Sequence, residues 1–178
     1  MSSRLFSVSN SGYIAGIGLL LMTIIAILVF PSLKASPLHV SGIALIILLE
    51  VIVSLALYHL LESVNKILSV SMAISRILYG AVFAYALSKF PNIEMFHTIW
   101  DKSLLLFGIH LILLGILVYN SRFIPKWLGI LLLLAAFGYV VDSTAKMLGY
   151  QTMISVFTFF GEVLFALWLV IKSRNLPS

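Results

Sequence analysis

Four ionisable residues lie within otherwise apolar stretches of this sequence, and they are the side chains best able to do chemistry. Glu50 and Arg76 flank a short polar turn at 62–66, and His110 and Glu162 follow farther along the chain. An acid, a base and a guanidinium in one place can exchange a proton or hold a charged group. Because lipid cannot solvate a charge, each of these groups needs a partner wherever its surroundings are apolar.

The depths of these four residues predict one shared site. Counted from Val64, Glu50 is 14 residues back and Arg76 is 12 residues on. At ~1.5 Å per residue, both then lie about 18–21 Å along two antiparallel helices, so we expect them to form a buried salt bridge. His110 and Glu162 lie roughly 15–18 Å from the basic residues that end their own helices. All four groups therefore share a slab near the membrane midplane.

Other polar side chains at helical spacing extend this candidate pocket. A serine, threonine or tyrosine lies at three- or four-residue intervals from three of the four ionisable residues, so that both share a helical face. The predicted pocket residues are Glu50, Arg76, His110 and Glu162, with Ser54, Tyr58, Tyr79 and Thr158.

A purely structural role is the alternative for each of these groups. A buried Arg–Glu pair can simply hold two helices together, and a lone histidine among leucines is more often a hydrogen-bonded core residue than a ligand. Glu162 favours a function most, since no cation on a neighbouring helix remains once Arg76 pairs with Glu50. A carboxyl group in such a place suits proton exchange.

Several chemistries are excluded by residues that the sequence lacks. There is no cysteine, hence no disulfide, thiolate metal site or cysteine nucleophile. No H-E-x-x-H, G-x-S-x-G or Walker motif occurs. A metal held by Glu50, His110 and Glu162 would share its slab with a guanidinium, which argues against it. We therefore expect no metal and no cofactor.

Composition indicates an integral membrane protein. Of 178 residues, 62% are hydrophobic and 10% are charged, against about 25% charged in soluble domains. The mean hydropathy is +1.16, and several apolar runs approach the ~20 residues that span a bilayer. The net charge of +5 comes without a basic stripe that carries aromatics, so we expect no nucleic-acid partner. The expected partners are membrane lipids and a small-molecule or lipid ligand.

The predicted fold is all-α: a polytopic transmembrane helix bundle of about six spans in one domain over 1–178. Pro31 ends the first apolar run, Ser41 is a plausible N-cap of the second, and Pro125 opens the fifth. Helical spacing of apolar residues in 90–102 predicts a short interfacial helix, and 142–151 is expected to be a polar loop. The predicted spans are 12–30, 41–61, 67–89, 103–119, 125–141 and 152–171.

Lysine and arginine positions predict the orientation. With a cytoplasmic N-terminus, the inner segments contain Arg4, Lys66, Arg122, Lys126, Lys172 and Arg174. The outer segments then contain Lys34, Lys89, Lys102 and Lys146. Every loop or tail arginine falls inside, as the positive-inside rule requires. We therefore expect a protein of the cell membrane with both termini in the cytoplasm.

Short motifs between Glu50 and Lys172 carry a family resemblance. The most specific is S-R-F-I-P-K-W-L-G at Ser121–Gly129, and others are R-I-L-Y at 76–79 and F-G-I-H-L at 107–111. With these, the chain resembles a family of small six-span bacterial and archaeal membrane proteins catalogued as a domain of unknown function. That resemblance implies no catalytic residue. The turn with Arg122, Lys126 and Trp127 looks like a headgroup anchor that touches anionic lipid.

Three functions remain open. A binding or transport protein would hold a small solute, a lipid headgroup or a proton, which charges of both signs at one depth favour. An intramembrane enzyme acting on a lipid would use Glu162 and His110 as acid and base, with Arg76 on a phosphate or carboxylate. An accessory subunit would carry the polar cluster for structure alone. We favour binding or transport, because no nucleophile or metal motif supports an enzyme.

The predicted topology can be checked by cysteine labelling, since the natural chain offers no background thiol. Cysteines at Ser36 and Asn92 should react with a membrane-impermeant maleimide from outside the cell. A cysteine at Asn175 should react only after the inner face is opened. Labelling on the opposite sides would contradict the orientation.

Overall fold

The fold is a bundle of helices, seen in a computed structural model that describes residues 7–30 and 36–176. Within those residues, six helical segments are long and apolar enough to cross a membrane. The predicted all-α architecture with six spans is confirmed. The helices are α1 (Val8–Val29), α2 (Pro37–Leu61), α3 (Lys66–Leu87), α4 (Ile93–Asn120), α5 (Lys126–Met147), α6 (Ser155–Thr158) and α7 (Phe160–Lys172). The short helices α6 and α7 together form the sixth span.

Polar residues in the connections fix where the helices begin. The Ser7 hydroxyl accepts a hydrogen bond from the Asn10 backbone N–H at 3.2 Å at the start of α1. Asn65 and Asn92 cap α3 and α4 in the same way, each at 3.0 Å. Such caps satisfy backbone donors that the first turn of a helix leaves free. α2 begins at Pro37, a proline in the first turn, where its missing N–H costs nothing, so Ser41 lies inside the helix and does not cap it.

Two stretches predicted to lie outside the spans are helical. The stretch 93–102, predicted as a separate interfacial helix, is the first part of α4. It joins the bundle because Phe96 is fully buried and Trp100 stacks on Phe30 with ring centroids 4.6 Å apart. α5 continues through Asp142 to Met147, although a loop was expected there.

Interhelical hydrogen bonds explain the longer α5. The Ser143 hydroxyl donates to the Asp101 carbonyl oxygen at 3.0 Å, and the Lys146 amine lies 2.6 Å from an Asp101 carboxylate oxygen. Polar residues that read as loop-forming in sequence thus find partners on α4, and so they stay helical.

The six spans are arranged in chain order. Each span packs against the next span along the chain, and α1 packs against α7 to close the circle. Short connections favour this order, because an antiparallel neighbour is the nearest surface available to the next helix. Alternating directions put both described ends of the chain, at 7 and 176, on one side of the bundle.

Glycines set the closest helix contacts. A Cβ atom added at Gly129 on α5 would lie 2.7 Å from the Tyr119 backbone nitrogen and 2.8 Å from the Gly115 carbonyl oxygen on α4. At Gly16 on α1 it would lie 2.9 Å from the Leu169 Cβ on α7. Small residues at such crossings let helix backbones approach closely in a membrane, where packing provides much of the attraction.

Replacing Gly129 with leucine should destabilise the bundle. Leucine has the higher helix propensity by about 1 kcal/mol, so any loss must come from the α4–α5 contact. We expect a loss of about 1–3 kcal/mol or more, seen as a lower midpoint of thermal unfolding in detergent. Ala84→Leu, on an exposed face of α3, is the control and should unfold near the wild-type temperature. Equal midpoints for the two variants would contradict this account.

Candidate functional site

The centre of the site is an ion pair between neighbouring helices. The Arg76 Nε on α3 lies 2.6 Å from the Glu50 Oε2 on α2. At this distance the two opposite charges form an ion pair. Both residues are buried, Arg76 with 1% and Glu50 with 4% of its surface exposed. The salt bridge predicted from equal depth is confirmed.

His110 on α4 completes the surroundings of Arg76. Its Nε2 lies 2.9 Å from the Arg76 NH1, and its Nδ1 lies 3.0 Å from the Met72 carbonyl oxygen. A carbonyl only accepts and a guanidinium only donates. The pattern therefore fits an imidazole whose single proton is on Nδ1, which donates to Met72 while Nε2 accepts from Arg76. His110 thereby fixes the orientation of the Arg76 guanidinium.

A cavity of about 650 Å³ lies in front of this pair. It occupies the half of the bundle away from the described chain ends, because Phe30, Trp100 and Lys146, at the far ends of their helices, line it. Its inner end reaches Glu50 and Arg76. The walls between are mostly apolar, with Leu19, Met22, Ile46, Phe83, Leu104, Phe107 and Phe159 among them.

Glu162 lies on the cavity wall opposite the ion pair. The helix of the sixth span is interrupted at Phe159, and Glu162 falls in the first turn of α7, where the helix dipole favours a carboxylate. Tyr139 on α5 lines the same cavity as this carboxyl group. The Oε1 atom of Glu162 is buried and has no hydrogen-bond partner among the described residues. An unpaired buried oxygen of this kind is costly, and a ligand or a proton would relieve the cost.

Asp142 holds the segment that leads into α6. Its carboxylate accepts from the Ile154 and Ser155 backbone N–H groups at 2.9 and 2.8 Å, and from the Ser155 hydroxyl at 2.6 Å. Three hydrogen bonds to one carboxylate fix this non-helical approach against the end of α5. The cavity wall on that side is thereby held in place without a continuous helix.

Four of the eight predicted pocket residues line the cavity: Glu50, Arg76, Tyr79 and Glu162. The Tyr79 hydroxyl accepts a hydrogen bond from the Trp100 indole N–H at 3.2 Å. These four residues are assigned to one pocket by their predicted depth and helical face.

The other four predicted pocket residues lie outside the lining, each for a different reason. His110 lies behind Arg76. The Ser54 hydroxyl donates to the Ala73 carbonyl oxygen at 2.9 Å, between α2 and α3. Thr158 faces Gly138 on α5. Tyr58 lies near the other end of the bundle, where its ring contacts the His59 ring with centroids 5.0 Å apart.

The sequence reading missed several lining residues on α4 and α5: Trp100, Tyr139, Asp142 and Lys146. A signal existed, because Tyr139, Asp142 and Lys146 follow one another at intervals of three and four and so share one helical face. Assigning Asp142 to a loop broke that pattern.

The proposed headgroup anchor lies at the other end of the bundle. Arg122, Lys126 and Trp127 are all exposed, at the turn between α4 and α5. The Ser121 hydroxyl shapes this turn by donating to the Val118 carbonyl oxygen at 2.9 Å and accepting from the Ile124 N–H at 3.2 Å.

Removing one member of the ion pair should cost more than removing both. Arg76→Ala leaves a buried carboxylate without its cation, which costs about 3–5 kcal/mol in soluble proteins. The double variant Arg76→Ala with Glu50→Ala should recover part of that loss, measured as unfolding midpoints in detergent. Losses that simply add would mean that the two side chains do not interact.

Comparisons with known proteins relate the chain to proteins of unknown function. A family model described as Domain of unknown function (DUF4386) matches residues 91–173. An uncharacterized protein of Archaeoglobus fulgidus is 48% identical over 155 residues, which cover 87% of this chain and 96% of the relative. No solved structure matches significantly. The resemblance to a family of unknown function is confirmed, and the chain belongs to the family described as Domain of unknown function (DUF4386).

Proposed function

We propose that this integral membrane protein binds a small molecule or a lipid headgroup in the cavity between its helices. The observation that carries this function is the Glu162 Oε1, a buried carboxylate oxygen that has no hydrogen-bond partner among the described residues, on the wall of a cavity of about 650 Å³. Ligand sites in proteins have volumes of about 300–1,000 Å³, mostly apolar walls and a few converging polar groups. The cavity has each of these properties.

The arrangement favours binding over catalysis. His110 was the candidate base for an enzyme, but its two ring nitrogens are engaged by Arg76 and by the Met72 carbonyl oxygen. A general base must reach the proton that it removes, and His110 lies outside the cavity lining. Arg76 likewise has its charge matched by Glu50. The polar lining groups that remain available to a ligand are therefore Glu162 and Tyr139. They suit recognition of a ligand or exchange of a proton.

The surroundings of the protein belong to the same proposal. We place it in the cell membrane with both termini in the cytoplasm, because all the loop and tail arginines then lie inside. Exposed Arg122, Lys126 and Trp127 would then lie at the inner leaflet. There they would contact anionic headgroups, with each basic residue contributing about 1 kcal/mol.

The proposed binding function depends on Glu162, and Glu162→Gln tests it. The amide keeps the shape of the side chain but cannot carry the charge or exchange a proton. Protein purified in nanodiscs of host lipid should release a bound small molecule on denaturation, identified by mass spectrometry. We expect at least tenfold less of it with Glu162→Gln, and an unchanged unfolding midpoint.

Glu94→Gln is the matched control, because it makes the same change at an exposed site in the first turn of α4. It should retain the bound molecule at the wild-type level. If no molecule is enriched in the wild type, or if both variants retain it equally, the cavity is a structural feature of an accessory subunit and the proposed function is wrong.

A further inference from the structure

The charges that line the cavity do not cancel. Three carboxylates, Glu50, Asp142 and Glu162, face two cations, Arg76 and Lys146. Each of the two cations already lies 2.6 Å from a carboxylate, Arg76 from Glu50 and Lys146 from Asp101. Asp142 is satisfied by the three donors at 154–155. Glu162 is left as the acid that has neither a cation nor such a set of donors among the described lining residues, so a ligand that places a positive charge against it fits the site.

The surroundings of Glu162 suit an organic cation better than a metal ion. No group of three or more His, Asp or Glu side chains that could hold a metal occurs in the described parts of the chain. Aromatic rings are grouped there instead: Tyr139 and Tyr79 contact Phe107 with ring centroids 5.0 and 4.9 Å apart. Aromatic faces attract ammonium groups, most strongly away from water. The Arg76 guanidinium already lies over the Phe107 ring, 5.5 Å from its centroid. An ammonium group in this cavity would have Glu162 and the rings of Tyr79 and Tyr139 in the same lining.

Stacked aromatic rings line the end of the cavity that lies away from the described chain ends. Phe30 at the end of α1 stacks on Trp100 of α4, with centroids 4.6 Å apart. Trp100 in turn stacks on Phe83 at 6.1 Å. The Lys146–Asp101 ion pair ties α5 to α4 at the same end. These contacts narrow the route from the water phase.

The side of the cavity between α1 and α6 is open. α1 is packed closely on the sixth span near the chain ends, where Gly16 meets Leu169 and Val170 and Gly12 meets Ser173. Farther along, α1 makes at most marginal contact with α6. Ile27, Val156 and Met153 line the cavity there, yet they are 62%, 49% and 69% exposed. Ile27 and Val156 lie near the ends of spans and Met153 just precedes the sixth, so in a bilayer this opening faces sideways toward lipid at the end of the bundle away from the described chain ends.

We propose that the cavity takes an amphiphile with an ammonium head and a hydrocarbon body, which enters from the lipid between α1 and α6. This ligand class rests on the binding function proposed above. The head would pair with Glu162 beside Tyr139, and the body would lie along the apolar wall toward Ile27 and Val156. Lateral entry lets the hydrocarbon body stay in an apolar medium throughout, so that only the head changes its surroundings.

Probes with one chain and different heads test the ligand class. Trp100 lines the cavity and can report occupancy in a variant that retains it as the single tryptophan, with Trp127→Phe and Trp168→Phe. Chain-brominated dodecylammonium, dodecanol and dodecanoate would be titrated into nanodiscs, and quenching of Trp100 measured. We expect the ammonium probe to reach half-quenching at a concentration at least tenfold below the other two. Glu162→Gln should remove that preference, while Glu94→Gln should keep it.

The outcomes separate the ligand class from the binding function. Equal quenching by all three heads leaves a cavity that binds amphiphiles, and overturns the ammonium preference alone. If Trp100 is quenched only as much as probe dissolved in the surrounding lipid would quench it, with no saturation, the binding function is overturned as well. A short brominated butylammonium that matches the long probe would show that a free amine is the ligand, and would overturn the lipid-like class.

A cross-link tests the route. The chain has no cysteine, so Ile27→Cys with Val156→Cys can be bridged specifically by a bifunctional maleimide. The bridged protein should take up the ammonium probe at least tenfold more slowly than the same protein before bridging. Ala81→Cys with Ala84→Cys, bridged on an exposed face of α3, is the control and should keep the original rate. An unchanged rate across a bridged opening would mean that entry is not lateral.

Discussion

The ion pair between Glu50 and Arg76 is the constraint on which the rest of the site depends. Neither charge can face lipid at mid-depth without a cost of roughly 2.5–3.5 kcal/mol even on the most lenient scale. The two opposite charges lie 2.6 Å apart and so compensate each other, and the His110 ring on α4 accepts a hydrogen bond from the guanidinium. Three consecutive helices are thereby fixed at one depth. Because Arg76 and Glu50 satisfy each other, the cavity in front of them is left with Glu162 as its unmatched group.

The two halves of the bundle differ in packing: one is closely packed and the other contains the cavity. Toward the chain ends, close contacts at Gly16 and Gly129 bring the helix backbones together, and the interior is filled by buried leucines such as Leu57, Leu60 and Leu128. In the other half α5 still approaches α6 closely at Gly138, but large aromatic rings line the cavity there. The packed half gives stability, since dispersion contacts hold helices together in lipid. The open half can then retain a cavity without unfolding the whole, and there a ligand could act.

Much of this arrangement was readable in the sequence. Apolar runs gave the number of spans, and counting residues from one turn put Glu50 and Arg76 at the same depth, where they meet. The rotation of each helix was harder to read. Ser54, Thr158 and His110 lie on the helices that carry the site, but they point to neighbouring helices and not to the cavity. A spacing of three or four residues says that side chains share a face, but not which neighbour that face meets.

The sequence by itself determined the membrane class, the number of spans and the equal depth of Glu50 and Arg76, because hydrophobic length and the rise per residue are local properties. Only the tertiary structure decided that His110 bonds to Arg76, that Tyr139 and Glu162 line one cavity, and that α1 makes little contact with α6. Each of these facts joins residues far apart in the chain. They depend on how side chains of several helices fill one another's gaps, and that sum of small contacts has no signature in any single stretch of sequence.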